Sequence, residues 1–459
     1  MRRPPPPLAT VGGHQPDHHL HHRHPLVTAR HQLHRVAGGL LHLPASLLHR
    51  VDRAGPLESP WVAGVLGALL VASMATALWR RRRRLAGPPA EHRWLRRAGL
   101  AAWLLTLTAL TGLAGLNTYV GYIPTLPGLL GDLPTPGGWN GRGHGSQVLS
   151  LEIGAPRLGV PPSRAYVYLP PGYHDPASAT HRYPVVYLLR GYPGGPQDWF
   201  RAAQVQRTMD AMLADGLVKP MLLVAPDASG GWLHDSEMLN QVGGPQVESY
   251  LTGPLVHTID TRFRTIADRA GRAVGGVSSG GYGALNLGLR HQDTYSVIVS
   301  LMPYGDPGAV TRTLLGGSRA LWLANAPADY IPTMAFHRPI AVDLVAGSQD
   351  PVRQEAARLA RMLQARGQQA VFTEVRGATH TWRGARAEAP YALAFASSHL
   401  GGARPRVSLA ADRAHPPRVS LAADRARPPR VSLAGEQARL QHPAAGSLAD
   451  RPRLPRVTA

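Results

Sequence analysis

Gly276-Val277-Ser278-Ser279-Gly280 sets a serine between glycines two residues before and two residues after it. A serine hydroxyl is a weak nucleophile until a base takes its proton and a third group orients that base. The glycines suit a serine held on a sharp turn, where neighbouring Cβ atoms would crowd it. An apolar run opening at Ala273-Val274 precedes the motif, and a helical pattern from Ala284 to Leu289 follows it. Strand, turn and helix in that order are the setting of a nucleophile elbow. The following helix would aim its first N–H groups at a developing oxyanion. A chain rich in Gly and Ser can match the bare motif by chance, and the plain alternative is a glycine-rich turn closing a parallel strand. The flanking pattern makes Ser278 the candidate nucleophile.

The partners of such a serine follow it in the order acid, then histidine. The run Ala341–Ala346 ends in Gly347-Ser348-Gln349-Asp350-Pro351, so Asp350 stands in a loop at the carboxyl end of a strand, where α/β sheets place their sites. Asp343 lies inside the same run and reads as structural, and Glu355 falls about one turn into the next helix. The run Val371–Val375 leads into Arg376-Gly377-Ala378-Thr379-His380. His380 is the candidate base; the next histidine, His399, follows a helical pattern and reads as its cap. An oxyanion hole needs two N–H donors. Ser279 supplies one, directly after the nucleophile. Tyr192 is the candidate for the other, in the loop Arg190-Gly191-Tyr192-Pro193-Gly194-Gly195 that follows the strand-like run to Leu189.

Positioning these groups requires a large sheet. Val148–Ile153 and Ala165–Leu169 carry β-rich residues and read as an antiparallel start. Continuous apolar runs follow at Pro184–Leu189, Met221–Ala225, Ala273–Val277, Val297–Met302 and Ile340–Ala346, the signature of strands covered on both faces. Helical patterns alternate with them at Gln204–Asp215, Gln246–Arg262, Ala284–Arg290 and Arg353–Arg366. The expectation is one doubly wound, mostly parallel α/β domain over residues 147–402.

The 459 residues carry a formal net charge of +21. That charge is not a nucleic-acid footprint, because residues 145–400 hold 22 Lys+Arg against 19 Asp+Glu and no nucleic-acid motif accompanies the excess. Lys219 is the only lysine, which points to a coding bias towards Arg. Zero cysteines exclude disulfides, thiolate catalysis and cysteine-ligated metals. Neither a cofactor nor a metal is expected.

Residues 1–60 begin with Pro4–Pro7 and contain ten histidines. They read as a disordered leader more than a metal-binding tract, and a start of translation further downstream is an alternative. Trp61–Trp79 is 19 residues without a charge, enough to cross a bilayer core of about 30 Å, with tryptophans at both ends. A second apolar stretch runs from Ala98 to about Leu116. Arg80–Arg84, Arg93, Arg96 and Arg97 lie between the two. Two transmembrane helices over 61–117 are expected, with the Arg-rich loop cytoplasmic and the rest of the chain extracytoplasmic. The seven arginines of the leader would then have to cross the membrane. Residues 118–146 are rich in Gly and Pro and read as a linker lifting the domain off the membrane. Residues 403–459 repeat the unit RVSLAAD and lack aromatics, so a disordered tail is expected there.

Taken together, YPVVYLLRGYPGGPQDW, VAPDASGG, the stretch around GGVSSGGYGALNLGLRH, GSQDP and GATHTW resemble the Putative esterase family of α/β hydrolases, which joins esterase D-type enzymes and mycolyltransferases. The resemblance covers about residues 166–400. The stretch Asn117–Thr125 behind two apolar segments is similar to membrane-anchored actinobacterial members. The resemblance implies a metal-free triad, and its motif positions fall on Ser278, Asp350 and His380. Two departures stand out. Arg190 replaces a common histidine and Ser279 a common methionine, and neither change removes a backbone N–H. Arg190 could favour anionic acyl groups; packing on the surface or pairing with Asp198 or Asp227 is the plainer role. The expected function is a membrane-anchored extracytoplasmic serine esterase acting on an ester or acyl-lipid substrate. The alternatives are an acyltransferase delivering an acyl group to an envelope sugar or lipid hydroxyl, and a non-catalytic surface protein on the same fold.

Overall fold

The computed structural model describes residues 43–83, 93–126, 145–228, 234–309 and 311–401. The repeat tail and the first 42 residues of the leader lie outside the described residues.

The first elements are helices: α1 (Ala45–Val51), α2 (Pro60–Arg83) and α3 (Arg93–Val120). Both α2 and α3 are long and apolar enough to cross a bilayer, and their apolar windows are almost wholly unburied. They form an antiparallel hairpin. Asn117 Nδ2 donates to the Leu57 carbonyl at 3.1 Å at one end, and Trp103 Nε1 donates to Ser73 Oγ at 3.1 Å further along.

The sheet follows, with β1 (Gln147–Ala155), β2 (Val160–Leu169), β3 (Val185–Leu189), α4 (Asp198–Arg201), α5 (Val205–Ala214), β4 (Leu222–Ala225), α6 (Val247–Thr252), α7 (Pro254–Arg262), β5 (Arg272–Val277), α8 (Ser279–Arg290), β6 (Val297–Leu301), α9 (Thr311–Leu314), α10 (Arg319–Ala324), α11 (Pro327–Tyr330), β7 (Ala341–Gly347), α12 (Arg353–Ala365), β8 (Gln369–Val375) and α13 (Trp382–His399). The eight strands are ordered β1-β2-β4-β3-β5-β6-β7-β8. The β1–β2 and β2–β4 pairings are antiparallel and the others are parallel, so β2 alone is reversed. Every strand run read from the sequence is a strand here.

The continuous apolar runs have a simple cause. Val185, Tyr187 and Leu189 of β3 enter one core cluster, whereas Val186 and Leu188 enter the cluster on the other face. With helices on both faces, each residue of a central strand is buried and none needs to be polar.

The helical pattern over Gln246–Arg262 is two helices. The chain breaks at Gly253, with φ −123° and ψ −91°, and Pro254 opens α7. Proline lacks the N–H that would continue α6 and restricts the residue before it.

Two boundaries differ from the sequence reading. The chain before Trp61 is not wholly unstructured: α1 buries Leu47 and Val51 in the second core cluster. The stretch after α3 does not stand off as a spacer. Residues 121–125 pack against the domain, and Gly121 touches Arg383 so closely that a Cβ there would lie 2.8 Å from the Arg383 Cβ. Residues 127–144 of the expected linker lie outside the described residues.

Candidate active site

Register brings the site together. Leu189 pairs with Gly276, Val277 with Leu301, and Leu301 with Val345. The carboxyl ends of β3, β5, β6 and β7 therefore lie side by side. The Arg190–Gly195 loop, Ser278 and Asp350 leave the sheet at that edge, and His380 follows β8.

Ser278 has φ 56° and ψ −117°, a backbone state that a residue with a Cβ adopts only when its surroundings enforce it. Two bonds hold it. The Ser278 N–H donates to the Leu301 carbonyl at 3.0 Å, and the Tyr282 N–H donates to the Ser278 carbonyl at 2.8 Å. The flanking glycines are required by contact. A Cβ at Gly276 would lie 2.0 Å from the Gly280 carbonyl oxygen, and one at Gly280 would lie 2.3 Å from the Leu189 carbonyl oxygen.

His380 Nε2 lies 2.9 Å from Ser278 Oγ. Its Nδ1 lies 3.0 and 3.1 Å from the two oxygens of Asp350. Asp350 has a fully buried side chain, while the His380 side chain is 32% exposed. The Val352 N–H also donates to Asp350 Oδ1, at 2.9 Å, which further fixes the carboxyl group. All three residues read from sequence meet here. Behind Asp350, the buried Glu388 of α13 has its pKa pushed well above the ordinary carboxyl range, first by burial and then by the charge of Asp350. Asp350, not Glu388, is the carboxyl group that faces the imidazole. Asp343, the rejected competitor, sits in the interior of β7 and accepts a hydrogen bond from Thr373 Oγ1 at 2.8 Å.

Ser279 is the first residue of α8, and its backbone N–H belongs to the unpaired first turn of that helix. Gly191 packs on Ser278: a Cβ there would lie 3.6 Å from the Ser278 Cβ. Tyr192 is the next residue, joined to Pro193 by a cis peptide, with a partly exposed ring. This loop is braced from below. Asp198 Oδ2 accepts the Gly195 N–H at 2.7 Å, and Trp199 Nε1 donates to the Leu189 carbonyl at 3.1 Å.

Arg190 is not on the surface. Its side chain is buried, Nη1 donates to the Gly191 carbonyl at 2.9 Å, and Nη2 donates to the His234 carbonyl. Burial lowers its pKa, and the charges of Asp227, Asp235, Asp198 and Glu237 oppose that shift. The guanidinium thus ties the Gly191 loop to the chain around His234.

Several residues of the site carry no local sequence signal. Ser279 Oγ donates to Asp235 Oδ1 at 3.1 Å. The Tyr304 hydroxyl donates to Glu237 Oε1 at 2.7 Å, and its ring stacks on Tyr282 at a centroid distance of 5.2 Å. Burial and the neighbouring Asp235 push the Glu237 pKa up to about 8. Tyr122 donates from its hydroxyl to Asp198 Oδ1 at 3.0 Å. Among the described residues there is no cluster of three His, Asp or Glu side chains suited to a metal.

The sheet order, the elbow after β5 and the placement of Asp350 and His380 after β7 and β8 define an α/β-hydrolase fold. The family described as Putative esterase matches residues 162–400, and the chain belongs to that family. An uncharacterized protein of Corynebacterium glutamicum is 29% identical over 174 residues, covering 36% of this chain and 40% of its own length. An endo-1,4-beta-xylanase/feruloyl esterase of Xylanibacter ruminicola is 32% identical over 134 residues, 28% of this chain and 18% of that protein. An esterase of Mycobacterium tuberculosis is 32% identical over 146 residues, 32% of this chain and 29% of that protein. The chain thus spans less than half the length of each of these relatives. A solved ferulic acid esterase has a TM-score of 0.49 at 22% identity, over 56% of this chain and 100% of that one.

Proposed function

We propose that this chain is a membrane-anchored serine esterase that hydrolyses carboxylic esters through an acyl-enzyme on Ser278. The observation that carries the reading is the relay from Ser278 Oγ to His380 Nε2 at 2.9 Å and from His380 Nδ1 to Asp350 at 3.0 Å. His380 takes the Ser278 proton as Oγ attacks the ester carbonyl. The N–H groups of Ser279 and Tyr192 receive the oxyanion, and His380 then gives its proton to the departing alkoxide. Water enters, His380 deprotonates it, and the acyl group leaves as a carboxylic acid. Asp350 holds the imidazole with Nδ1 protonated, so that Nε2 is free to accept. General-base assistance of this kind contributes about 10²–10⁴-fold.

The two apolar helices support the anchor. Their Arg-rich connection, Arg80–Arg84 with Arg93, Arg96 and Arg97, favours a cytoplasmic loop and so supports an extracytoplasmic esterase domain. The test has two parts. The full chain in detergent micelles should hydrolyse p-nitrophenyl esters. Protease added to intact cells should cut the domain; a protected domain would contradict the assigned side.

A further inference from the structure

The end of α3 is built into the catalytic domain. Arg386 Nη2 donates to the Gly121 carbonyl at 3.0 Å, and Gly121 packs on Arg383. Arg383 is three residues after His380, a distance of no more than about 11 Å along the chain. Gly121 is five residues past Leu116, the last residue of the apolar stretch, which is about 7 Å along a helix. The His380 Cα therefore stands within roughly 20–25 Å of the end of the apolar stretch, about the length of one lipid. Two further ties fix this spacing. Glu58, two residues before α2, is fully buried against Arg386. Tyr122 bonds Asp198, the carboxylate that holds the Gly195 N–H of the Tyr192 loop.

A second observation concerns the rim. Outside α2, α3 and residues 121–126, the exposed large hydrophobic side chains among the described residues are Tyr192, Val242 and Leu321. Of the three, Tyr192 adjoins the site. Tyr192 follows Gly191, which lies against Ser278. The Val242 N–H donates to the Leu314 carbonyl at 2.9 Å, joining its segment to the one that carries Leu321. The Val242 segment also includes Asp235, the partner of Ser279. An exposed aromatic side chain thus adjoins Ser278, on a domain held close to the end of the apolar helices.

We infer that the substrate is an acyl ester resident in the membrane that holds α2 and α3. The domain takes it laterally from the lipid surface, with Tyr192 against its acyl chain. This rests on the serine-esterase reading and on α2 and α3 spanning the bilayer. In the reaction, Ser278 Oγ forms a bond to the acyl carbon and the ester C–O bond of the lipid breaks. The serine proton passes through His380 to the lipid alkoxide. Water then adds, the Oγ–acyl bond breaks, and one fatty acid is released per water consumed.

The test compares initial rates for the full chain reconstituted in phosphatidylethanolamine/phosphatidylglycerol vesicles. The probe 4-methylumbelliferyl oleate is placed either in the same vesicles as the protein or in separate ones. Soluble 4-methylumbelliferyl butyrate reports the esterase itself, with Ser278→Ala as the blank. The inference expects oleate hydrolysis at least tenfold faster in the same vesicles. Equal rates, or butyrate hydrolysis without oleate hydrolysis, would overturn it and leave the esterase reading standing. A wild type that hydrolyses neither ester overturns both.

Discussion

Glu58 and Arg386 form a two-pronged ion pair, at 2.8 and 2.5 Å, with both side chains fully buried. The pair joins the segment before α2 to the helix that follows His380. Removing one member of a buried pair leaves the other charge uncompensated, at a cost of about 3–5 kcal/mol. Glu58→Ala should lose that much stability, read by thermal unfolding of the full chain in detergent. By the same argument residues 145–401 alone, lacking Glu58 and Gly121, should unfold well below the full chain. A variant and a truncation that both melt at the wild-type temperature would contradict the docking.

Asp350→Asn keeps the shape of the acid and removes its charge. The amide favours the wrong tautomer of His380, so kcat should fall about 10²–10⁴-fold. The Val352 N–H retains an acceptor, so the melting temperature should stay near wild type. A loss of activity that follows only from unfolding would contradict the role given to Asp350.

Asp343 makes stability depend on pH. Burial pushes its pKa up to about 7, opposed by the Thr373 hydrogen bond. The folded state therefore binds more protons than the unfolded one between the ordinary aspartate range and pH 7. Stability from this group is full at low pH and is lost as pH rises from about 4 to 7, in total on the order of 4 kcal/mol. Asp343→Asn still accepts from Thr373 and cannot ionise. It should be more stable than wild type at pH 8 by about 2–4 kcal/mol and close to it near pH 4. Denaturant melts at the two pH values check the sign.

Ser279→Ala tests whether the oxyanion donor is backbone or side chain. The N–H is kept and only the Oγ bond to Asp235 is lost. Activity should stay within about threefold of wild type, far from the 10²–10³-fold cost of losing an oxyanion donor. A hundredfold fall would move the role to the hydroxyl or to Asp235.

The strands were legible because burial on both faces writes continuous apolar runs, as at Val185–Leu189. The candidate triad residues were legible because each follows a strand in a fixed order, and the structure brings Ser278, Asp350 and His380 within hydrogen-bond reach. What the sequence hid lies in contacts across long separations. Tyr304 meets Glu237 across 67 residues, and Tyr122 meets Asp198 across 76. No local period encodes such pairs. Helix α1 has only seven residues and follows a His- and Pro-rich stretch, so its buried face, Leu47 and Val51, was masked by composition. Arg190 read as a surface cation, a substrate-facing one or the partner of Asp198 or Asp227; its burial and its bonds to the Gly191 and His234 carbonyls are features that sequence does not display.

The most direct test of the account is ester hydrolysis by the full chain, wild type beside Ser278→Ala, with intact mass read under slow turnover. The account predicts hydrolysis by the wild type, at least a 10³-fold loss in the variant, and an added acyl mass on the wild type alone. Equal hydrolysis by both proteins, or an acyl mass that persists in Ser278→Ala, would contradict it.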